Sequence, residues 1–501
     1  MMLPGEGRTA TRSAPLEGRE ALLVTLTAVH LSFLPWALGA VHAWSQWVSL
    51  ALSTAGFLIA VPGKNTPAAH RPAAPSTPLW KWPFFWLGLL LAAYVAVQGL
   101  NPSWRYVSDG QTWSLVPVAH VMWLPTGVDA PFARSNPFRS LLVLVSLWLL
   151  VCSVHTGFTR RQSFRILFAV LSINGALLTL LGVAEKMTVA TKIYWRYAPS
   201  SEEVTSSFIY RNHAGAYFNL VVAVTVGLAG WHYRRYLRRL EGPARTILFS
   251  FLSGFVSLMV IFSQSRAATG VLFLFALASA VGYLLHFLSQ QAGRRSRQGM
   301  IVLGSALACC TIVGLISLRS DVVRSRFEQL AHSPSATSQE RAIAQRAGAD
   351  MLRGNWIFGW GAGCFRYGFP IYQQRYPDIY QWSNGTHKYW EHVHDDLLET
   401  PIELGVVGSL PLVIATAWAI AALWRRRAWK NFLSYGLLTA CGLALLHACV
   451  DFIFQCPAVL LTWAVLLVGA SRWSQLDPTI PRQDPSLQKA NIRAPASASP
   501  V

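Results

Sequence analysis

About twelve runs of apolar residues, each roughly 20 residues long, determine what this chain can fold into. A helical run of that length matches the thickness of a bilayer's hydrocarbon core. Only 13% of the 501 residues are charged and 53% are hydrophobic, whereas soluble domains carry about 25% charged residues. The sequence therefore predicts an all-α polytopic membrane protein with about 12 transmembrane helices. The predicted spans are 21–41, 44–62, 82–100, 139–157, 165–184, 214–231, 246–263, 267–289, 300–318, 402–424, 432–450 and 453–470.

The basic residues orient these spans. With the N-terminus in the cytoplasm, every short segment on the cytoplasmic side is basic, as the positive-inside rule requires. The segments contain Lys64, Arg71 and Lys81; Arg160, Arg161 and Arg165; Arg234, Arg235, Arg238, Arg239 and Arg245; Arg294, Arg295 and Arg297; and Arg425, Arg426, Arg427 and Lys430. The net charge of +20 is then mainly a topological signal, and no nucleic-acid partner is expected. A patch that binds acidic lipid would not recur at every second loop.

This topology divides the chain into five parts. Residues 1–20 form a cytoplasmic N-terminus that leads into an uncleaved first span, because no clear A-x-A signal-peptide site follows. Residues 21–318 hold the first nine helices, with periplasmic loops near 101–138 and 185–213. A large periplasmic loop, 319–401, comes late in the chain and precedes the last three helices at 402–470. The tail, 471–501, is cytoplasmic, rich in Pro, Ser and Ala, and expected to be disordered.

The segment 391–396 places two histidines and several carboxylates directly before an apolar run. A titratable cluster at a membrane–water boundary suits proton transfer or the binding of a charged ligand. His392 and His394 alternate, so their rings point the same way on an extended segment. We predict that His394 is a general base, since a free imidazole has a pKa near 6.5, with Asp395 or Glu391 orienting its ring and His392 beside it.

Two other interpretations of the cluster stay open at this point. Paired histidines next to carboxylates resemble a metal site, but the chain has neither an HExxH motif nor a CxxC pair, so no metal is expected. Both histidines could also be structural residues at the interface.

Arginines accompany this cluster on the predicted outer side. Arg266 lies in a turn of about three residues between two apolar spans, where an arginine should have a partner or a ligand. Arg211, Asn212 and His213 precede a span and offer several donors to an anion such as phosphate. Snorkelling to lipid headgroups or ordinary helix capping would explain both places equally well.

Two further features have simple structural interpretations. The run Gly359-Trp360-Gly361-Ala362-Gly363 lacks the Gly-Lys-Ser/Thr of a phosphate loop, so we interpret it as a tight turn that lets the backbone approach another segment. His447 and Asp451 are four residues apart, so they share one helix face and could hydrogen-bond, which is equally compatible with a structural pair that closes the bundle.

Taken together, these stretches resemble the O-antigen ligase and Wzy-type polymerase superfamily of bacterial glycan assembly. The similarity is carried by residues 208–217, by the Ser265-Arg266 turn, by the pattern from 359–363 through 392–395 to 403–408, and by residues 447–457. It covers about residues 200–470. The family more often has Asn directly after the loop histidine, where this chain has Asp395.

The resemblance implies a GT-C-like membrane fold and an inverting, metal-independent transfer without a cofactor. The donor would be a glycan on undecaprenyl diphosphate, and the acceptor a glycan or a lipid core, at the periplasmic face of the bacterial inner membrane. Arg211, Arg266, Asn212, His213 and Arg366 would bind the donor diphosphate, while Glu403, His447 and Asp451 would support the site.

Other functional classes remain as alternatives. A transporter or flippase for lipid-linked glycan would place ionisable groups near mid-membrane, whereas here they cluster at one face, which favours an enzyme. A non-catalytic assembly subunit is a further alternative. Ligase, polymerase and protein O-oligosaccharyltransferase share the motifs, so the sequence does not separate them.

Overall fold

Apolar helices dominate the computed structural model, which describes residues 16, 18–61, 78–200, 204–289, 336–382 and 385–476. The described helices are α1 (Gly18–Trp36), α2 (Ala43–Ala60), α3 (Pro83–Leu100), α4 (Pro137–Gly157), α5 (Arg161–Met187), α6 (Arg211–Leu237), α7 (Ala244–Phe262), α8 (Arg266–Ser289), α9 (Ala336–Gly354), α10 (Phe365–Gln373), α11 (Pro377–Tyr380), α12 (Asp396–Arg425), α13 (Phe432–Ala448) and α14 (Pro457–Gln475). Short 3₁₀ turns lie at Leu38–Ala40, Leu79–Lys81, Ala428–Lys430 and Ile453–Gln455.

Seven of the described helices are long and apolar enough to cross a membrane: α3 to α7, α12 and α14. Two shorter apolar helices, Arg266–Gly282 and Phe432–Ala448, coincide with further predicted spans. Helices α1 and α2 form where spans were expected but are not among the seven. The predicted span 300–318 lies outside the described residues. A multi-pass membrane protein is therefore confirmed, whereas the count of twelve spans is not.

The expectation of an all-α fold needs correction, because residues 102–129 form a small sheet. Strand β1 (Pro102–Ser108) pairs antiparallel with β2 (Trp113–Pro117) and parallel with β3 (Gly127–Asp129). The hairpin turn is local, since Asp109 Oδ1 accepts hydrogen bonds from the backbone of Gln111 and Thr112. Aromatic and β-branched residues around an Asp-Gly turn are a hairpin signal, and hydropathy alone does not reveal it.

Helix α6 is the centre of the bundle and is buried on nearly all sides from Asn212 to Thr225. Its N-terminal end lies against the turn between α7 and α8, because a Cβ on Gly215 would meet the Ala268 Cβ at 2.4 Å and the Ser263 Oγ at 3.0 Å. Asn219 Nδ2 donates to the Ala268 carbonyl at 2.8 Å. The starts of α6 and α8 therefore lie at the same end of the bundle.

The segment before α12 has a small hydrophobic core of its own. Ala344, Ala347 and Met351 of α9 pack with Phe365 and Phe369 of α10 and with Ile379, Val393 and Ile402. This core fixes the path of residues 391–395, which lead into α12. Asp395 begins that helix as its N-cap, with Oδ1 accepting from the Leu397 and Leu398 backbone at 3.0 and 3.1 Å.

The glycine run at 359–363 is the close-approach turn that the sequence predicts. All three of its glycines have positive φ, a conformation that side chains rarely adopt. A Cβ on Gly359 would meet the Glu403 carbonyl at 2.4 Å. Helix α12 is interrupted at Gly405 (φ 65°), and the backbone of Trp360 and Gly361 donates to Ile402 and Glu403 at 2.9 Å. The run therefore braces the kink in α12.

Candidate active site

The ring of Phe452 is the point where separate parts of the chain meet. His392 stacks on it at 4.3 Å between centroids, and His394 meets it edge-on at 4.9 Å. Tyr210, directly before α6, stacks at 4.9 Å, and His213 lies edge-on at 5.2 Å. Three of the four stretches singled out in the sequence thus converge here, and the packing of Gly215 brings the Ser265–Arg266 turn to the same end.

His394 is paired with a carboxylate that sequence reasoning assigned elsewhere. Its Nδ1 lies 3.4 Å from Asp451 Oδ1, a long hydrogen bond. The expected partners are occupied, since Asp395 caps α12 and Glu391 binds Arg366 at 3.2 Å. Asp451, rather than Asp395 or Glu391, is therefore the carboxylate that lies beside the His394 ring. His394 has φ of +59°, which turns the chain sharply from the loop into the helix.

The charge states of this pair follow from their surroundings. Burial would raise the pKa of Asp451, but the hydrogen bond from His394 and the positive charge of Arg341 lower it to about 2. Burial lowers the pKa of His394 below its ordinary value, partly opposed by Asp451. At neutral pH the carboxylate is ionised and accepts only, so the His394 proton is on Nδ1 and Nε2 is left as a base.

His392 has a different carboxylate. Its Nδ1 is 2.6 Å from Glu399 Oε1, and Glu399 Oε2 accepts from the Val393 backbone at 2.8 Å. Gln455 Nε2 also donates to Glu399, at 3.2 Å. Burial lowers the pKa of His392 to about 4. Glu399 is 0% exposed and clamps both His392 and the backbone that carries His394.

Polar groups surround the far side of Asp451. Asn212 Nδ2 donates to Asp451 Oδ2 and to the Tyr210 hydroxyl. Arg341 of α9 lies 3.7 Å from Asp451 Oδ2 and donates to the Tyr210 hydroxyl at 3.3 Å. Its buried Nε has no hydrogen-bond partner among the described residues. An unpartnered buried donor is a candidate ligand contact.

The arginines assigned to the diphosphate occupy two regions. Arg211 is half-buried at the start of α6 and Arg266 is exposed at the start of α8, both at the end of the bundle that holds Phe452. Arg366 belongs to α10, where its Nη1 binds Glu391 at 3.2 Å, and Glu391 directly precedes His392.

Other predicted residues face into the protein. His213 is buried, and its Nε2 donates to the Phe452 carbonyl at 3.0 Å. This Nε2 donor is therefore not available to bind a phosphate. Glu403 accepts from the backbone of Gly363 and Phe365 at 2.8 and 3.1 Å, a supporting position at the start of α10.

The hydrogen bond expected between His447 and Asp451 is not formed. Helix α13 ends at Ala448, so Asp451 lies beyond the helix and the four-residue spacing no longer puts both on one face. The buried Nε2 of His447 has no hydrogen-bond partner among the described residues. His447 lines a small space between helices, together with Asn219 of α6 and Ala444 of α13.

Sequence reasoning gave no role to Glu399, Tyr210, Arg341 or Phe452. Each lies in or near a stretch that the sequence singles out, but no spacing rule joins residues that are brought together by tertiary packing. Within the described residues, no group of three or more His, Cys, Asp and Glu side chains is arranged to hold a metal ion.

The fold and this cluster define a multi-pass membrane protein with a histidine–carboxylate site at one end of its helix bundle. Residues 245–413 match the family model described as O-antigen ligase (Wzy_C). This confirms the resemblance to the O-antigen ligase and Wzy-type polymerase superfamily, and it supports a membrane enzyme of glycan assembly. The matched part includes Arg266, Arg341 and His394, whereas Arg211 and Asp451 lie outside it. No curated protein matches the chain significantly.

Proposed function

We propose that this protein is an inverting, metal-independent glycosyltransferase that moves or polymerises a glycan from undecaprenyl diphosphate at the periplasmic face of the bacterial inner membrane. The observation that carries the proposal is the His394–Asp451 pair next to Arg341 and Tyr210. The family match of residues 245–413 supports it. The acceptor is a glycan or a lipid core, and the membrane lipids surround the helices.

The chemistry needs a base and a way to neutralise the leaving group. Asp451 holds the proton of His394 on Nδ1, so Nε2 accepts the proton of the acceptor hydroxyl. The hydroxyl oxygen forms a bond to the anomeric carbon of the donor while the bond from that carbon to the diphosphate oxygen breaks. This single displacement inverts the anomeric configuration, and the electron pair leaves with the diphosphate.

The departing diphosphate needs positive charge, which arginines supply well because their planar fork matches phosphate oxygens. Arg211 and Arg266 fulfil this role in the proposal, with Asn212 holding Asp451 in place. Arg341 is added to them, because its buried Nε has no partner among the described residues. Glu399, through His392, keeps the catalytic loop in position.

A transfer assay tests the proposed function. Purified full-length protein in proteoliposomes should transfer glycan from the host's lipid-linked donor extract to acceptor, and EDTA should leave the rate unchanged. A rate lost in EDTA and restored by a divalent ion would favour metal catalysis over the proposal. Movement of lipid-linked glycan across the bilayer without transfer would favour the flippase.

The donor-binding arginines have a separate prediction. Arg211→Lys and Arg266→Lys keep the charge but remove the bidentate geometry, so each should lower turnover by about tenfold or more. Arg427→Lys, two residues after the end of α12, is the matched control and should have no effect. Normal glycan production by both Lys and both Ala variants, at normal protein levels, would mean that these arginines are lipid anchors.

A further inference from the structure

A second group of side chains outside the histidine cluster joins the small sheet to the large loop. Trp113 of β2 meets Tyr389 edge-on at 6.2 Å and stacks on Tyr106 at 5.7 Å. Tyr106 in turn lies 5.6 Å from Tyr367 of α10. Residues more than 200 positions apart in sequence thus form one aromatic wall, which we define as Tyr106, Trp113, Tyr367 and Tyr389.

The wall has an inner and an outer layer. Tyr106 and Tyr367 are 9% and 1% exposed, and they attach the sheet to the loop. Tyr389 is 47% exposed and Trp113 is half-buried. The inner pair therefore accounts for the packing, while the outer pair presents aromatic surface to solvent that the packing does not require.

Charged groups border the outer layer. The Arg134 guanidinium lies 5.0 Å above the Tyr106 ring and is exposed. Glu391, whose side chain is 59% exposed, binds Arg366 at 3.2 Å. Flat apolar surface beside a few hydrogen-bonding groups suits a sugar ring, which has an apolar C–H face and a rim of hydroxyls.

The wall is continuous with the candidate active site. Glu391, which binds Arg366 at 3.2 Å, directly precedes His392 and follows Tyr389 by two residues, so this ion pair joins the wall to the histidine segment. Tyr389 is five residues from His394, which limits their Cα separation to about 18 Å. Arg341 and Tyr210 contact each other and Arg341 lies 3.7 Å from Asp451, the carboxylate beside His394, whereas the wall is bordered by the Arg366–Glu391 pair.

We propose that the outer face of the aromatic wall, with Arg134 and Glu391, binds the sugar chain of the acceptor. The assignment rests on the proposed function, in which the diphosphate occupies the Arg341 and Arg211 side. The acceptor hydroxyl must reach His394 from the other side, and its sugar chain then leaves over Tyr389 and Trp113. The donor sugar chain is the other occupant, which the experiment distinguishes.

Kinetics of Tyr389→Ala test this binding site. At fixed donor, the KM for the acceptor should rise by about fivefold or more while kcat stays close to the wild-type value. Tyr389→Phe keeps the ring face and should restore the wild-type KM. At fixed acceptor, the KM for the donor should stay unchanged. A rise in the donor KM alone, or no change in either, overturns the proposal.

Binding without turnover separates this proposal from the proposed function. The probes are the core oligosaccharide released from the host's lipopolysaccharide and the glycan released from its lipid-linked donor, both free of lipid and diphosphate. Saturation-transfer NMR on the full-length protein should show His394→Ala binding the acceptor-type probe as wild type does, and Tyr389→Ala binding it weakly. Equal binding of the probe by wild type and Tyr389→Ala would overturn the proposal that the aromatic wall binds the acceptor, even if transfer activity is confirmed.

Trp123→Ala is the matched control, since Trp123 is 74% exposed in the same outer segment but takes no part in the wall. It should leave both KM values and probe binding at wild-type levels. A loss in Trp123→Ala equal to that in Tyr389→Ala would mean that exposed aromatics act non-specifically, and would overturn the site.

Discussion

His394→Ala is expected to lower the rate of glycan transfer by about 10²–10⁴-fold, the usual contribution of general-base catalysis. The substitution removes the only group of the His394–Asp451 pair that can take the acceptor proton, while the diphosphate-binding side stays intact. Initial rates with lipid-linked donor and acceptor, in proteoliposomes of matched protein content, measure the effect.

His387→Ala is the control for this substitution, because His387 is exposed in the same loop and its ring contacts Tyr380 at 4.6 Å. It should transfer at the wild-type rate. His392→Ala should be milder than His394→Ala, since His392 braces the loop through Glu399. Equal losses in both variants would leave the base unassigned between the two histidines, and a fully active His394→Ala would rule it out as the base.

The pH dependence gives the same prediction a second readout. The base must be neutral, so kcat/KM should fall as the pH drops through the pKa of His394. Burial lowers that pKa below its ordinary value, and the acid limb should therefore lie below about pH 6.5. An acid limb well above that pH would point to a different titrating group.

The sequence predicts a membrane protein correctly because the hydropathy of a single segment is enough to identify a candidate transmembrane span. The same is true of the glycine run at 359–363, since a positive φ at Gly361 depends on the local chain. Its role as a close-approach turn could accordingly be predicted before its partner, the kink at Gly405, was known.

The partners of the site residues could not be predicted, because they depend on where helices end and how they pack. Asp451 was expected to face His447 on a continuous helix, but α13 stops at Ala448 and the carboxylate turns to His394 instead. Asp395, adjacent in sequence to His394, was expected to orient it. An aspartate directly before an apolar helix is an N-cap signal, so the position of Asp395 at the start of α12 can be predicted from the sequence.

Asp451→Asn is expected to lower transfer by about 10²-fold or more, as loss of an orienting carboxylate does in other histidine-dependent enzymes. The amide can still accept from Phe452, whose backbone now donates to Asp451 Oδ1 at 2.9 Å. It no longer stabilises the imidazolium that forms when His394 takes the proton. Since Asp451 raises the pKa of His394, the acid limb should also move to lower pH.

The fold should survive this substitution, because Asn212 can rotate its amide and present oxygen to the new NH₂ group. Asp129→Asn is the matched control: its carboxylate binds Arg105 at 3.0 Å on the exposed sheet, where an ion pair contributes little. Its thermal midpoint and its rate should both equal those of the wild type. A large drop in the midpoint of Asp451→Asn would instead make Asp451 a structural residue.

The double variant decides whether His394 and Asp451 work as one unit. Residues that act together in catalysis are strongly non-additive, so His394→Ala with Asp451→Asn should be no slower than His394→Ala alone. Independent roles would multiply the two losses, and the double variant would then fall by the product of the single effects. A multiplicative loss would mean that Asp451 does not act through His394. Its effect would then be assigned to the neighbouring Arg341, which lies 3.7 Å from the same carboxylate.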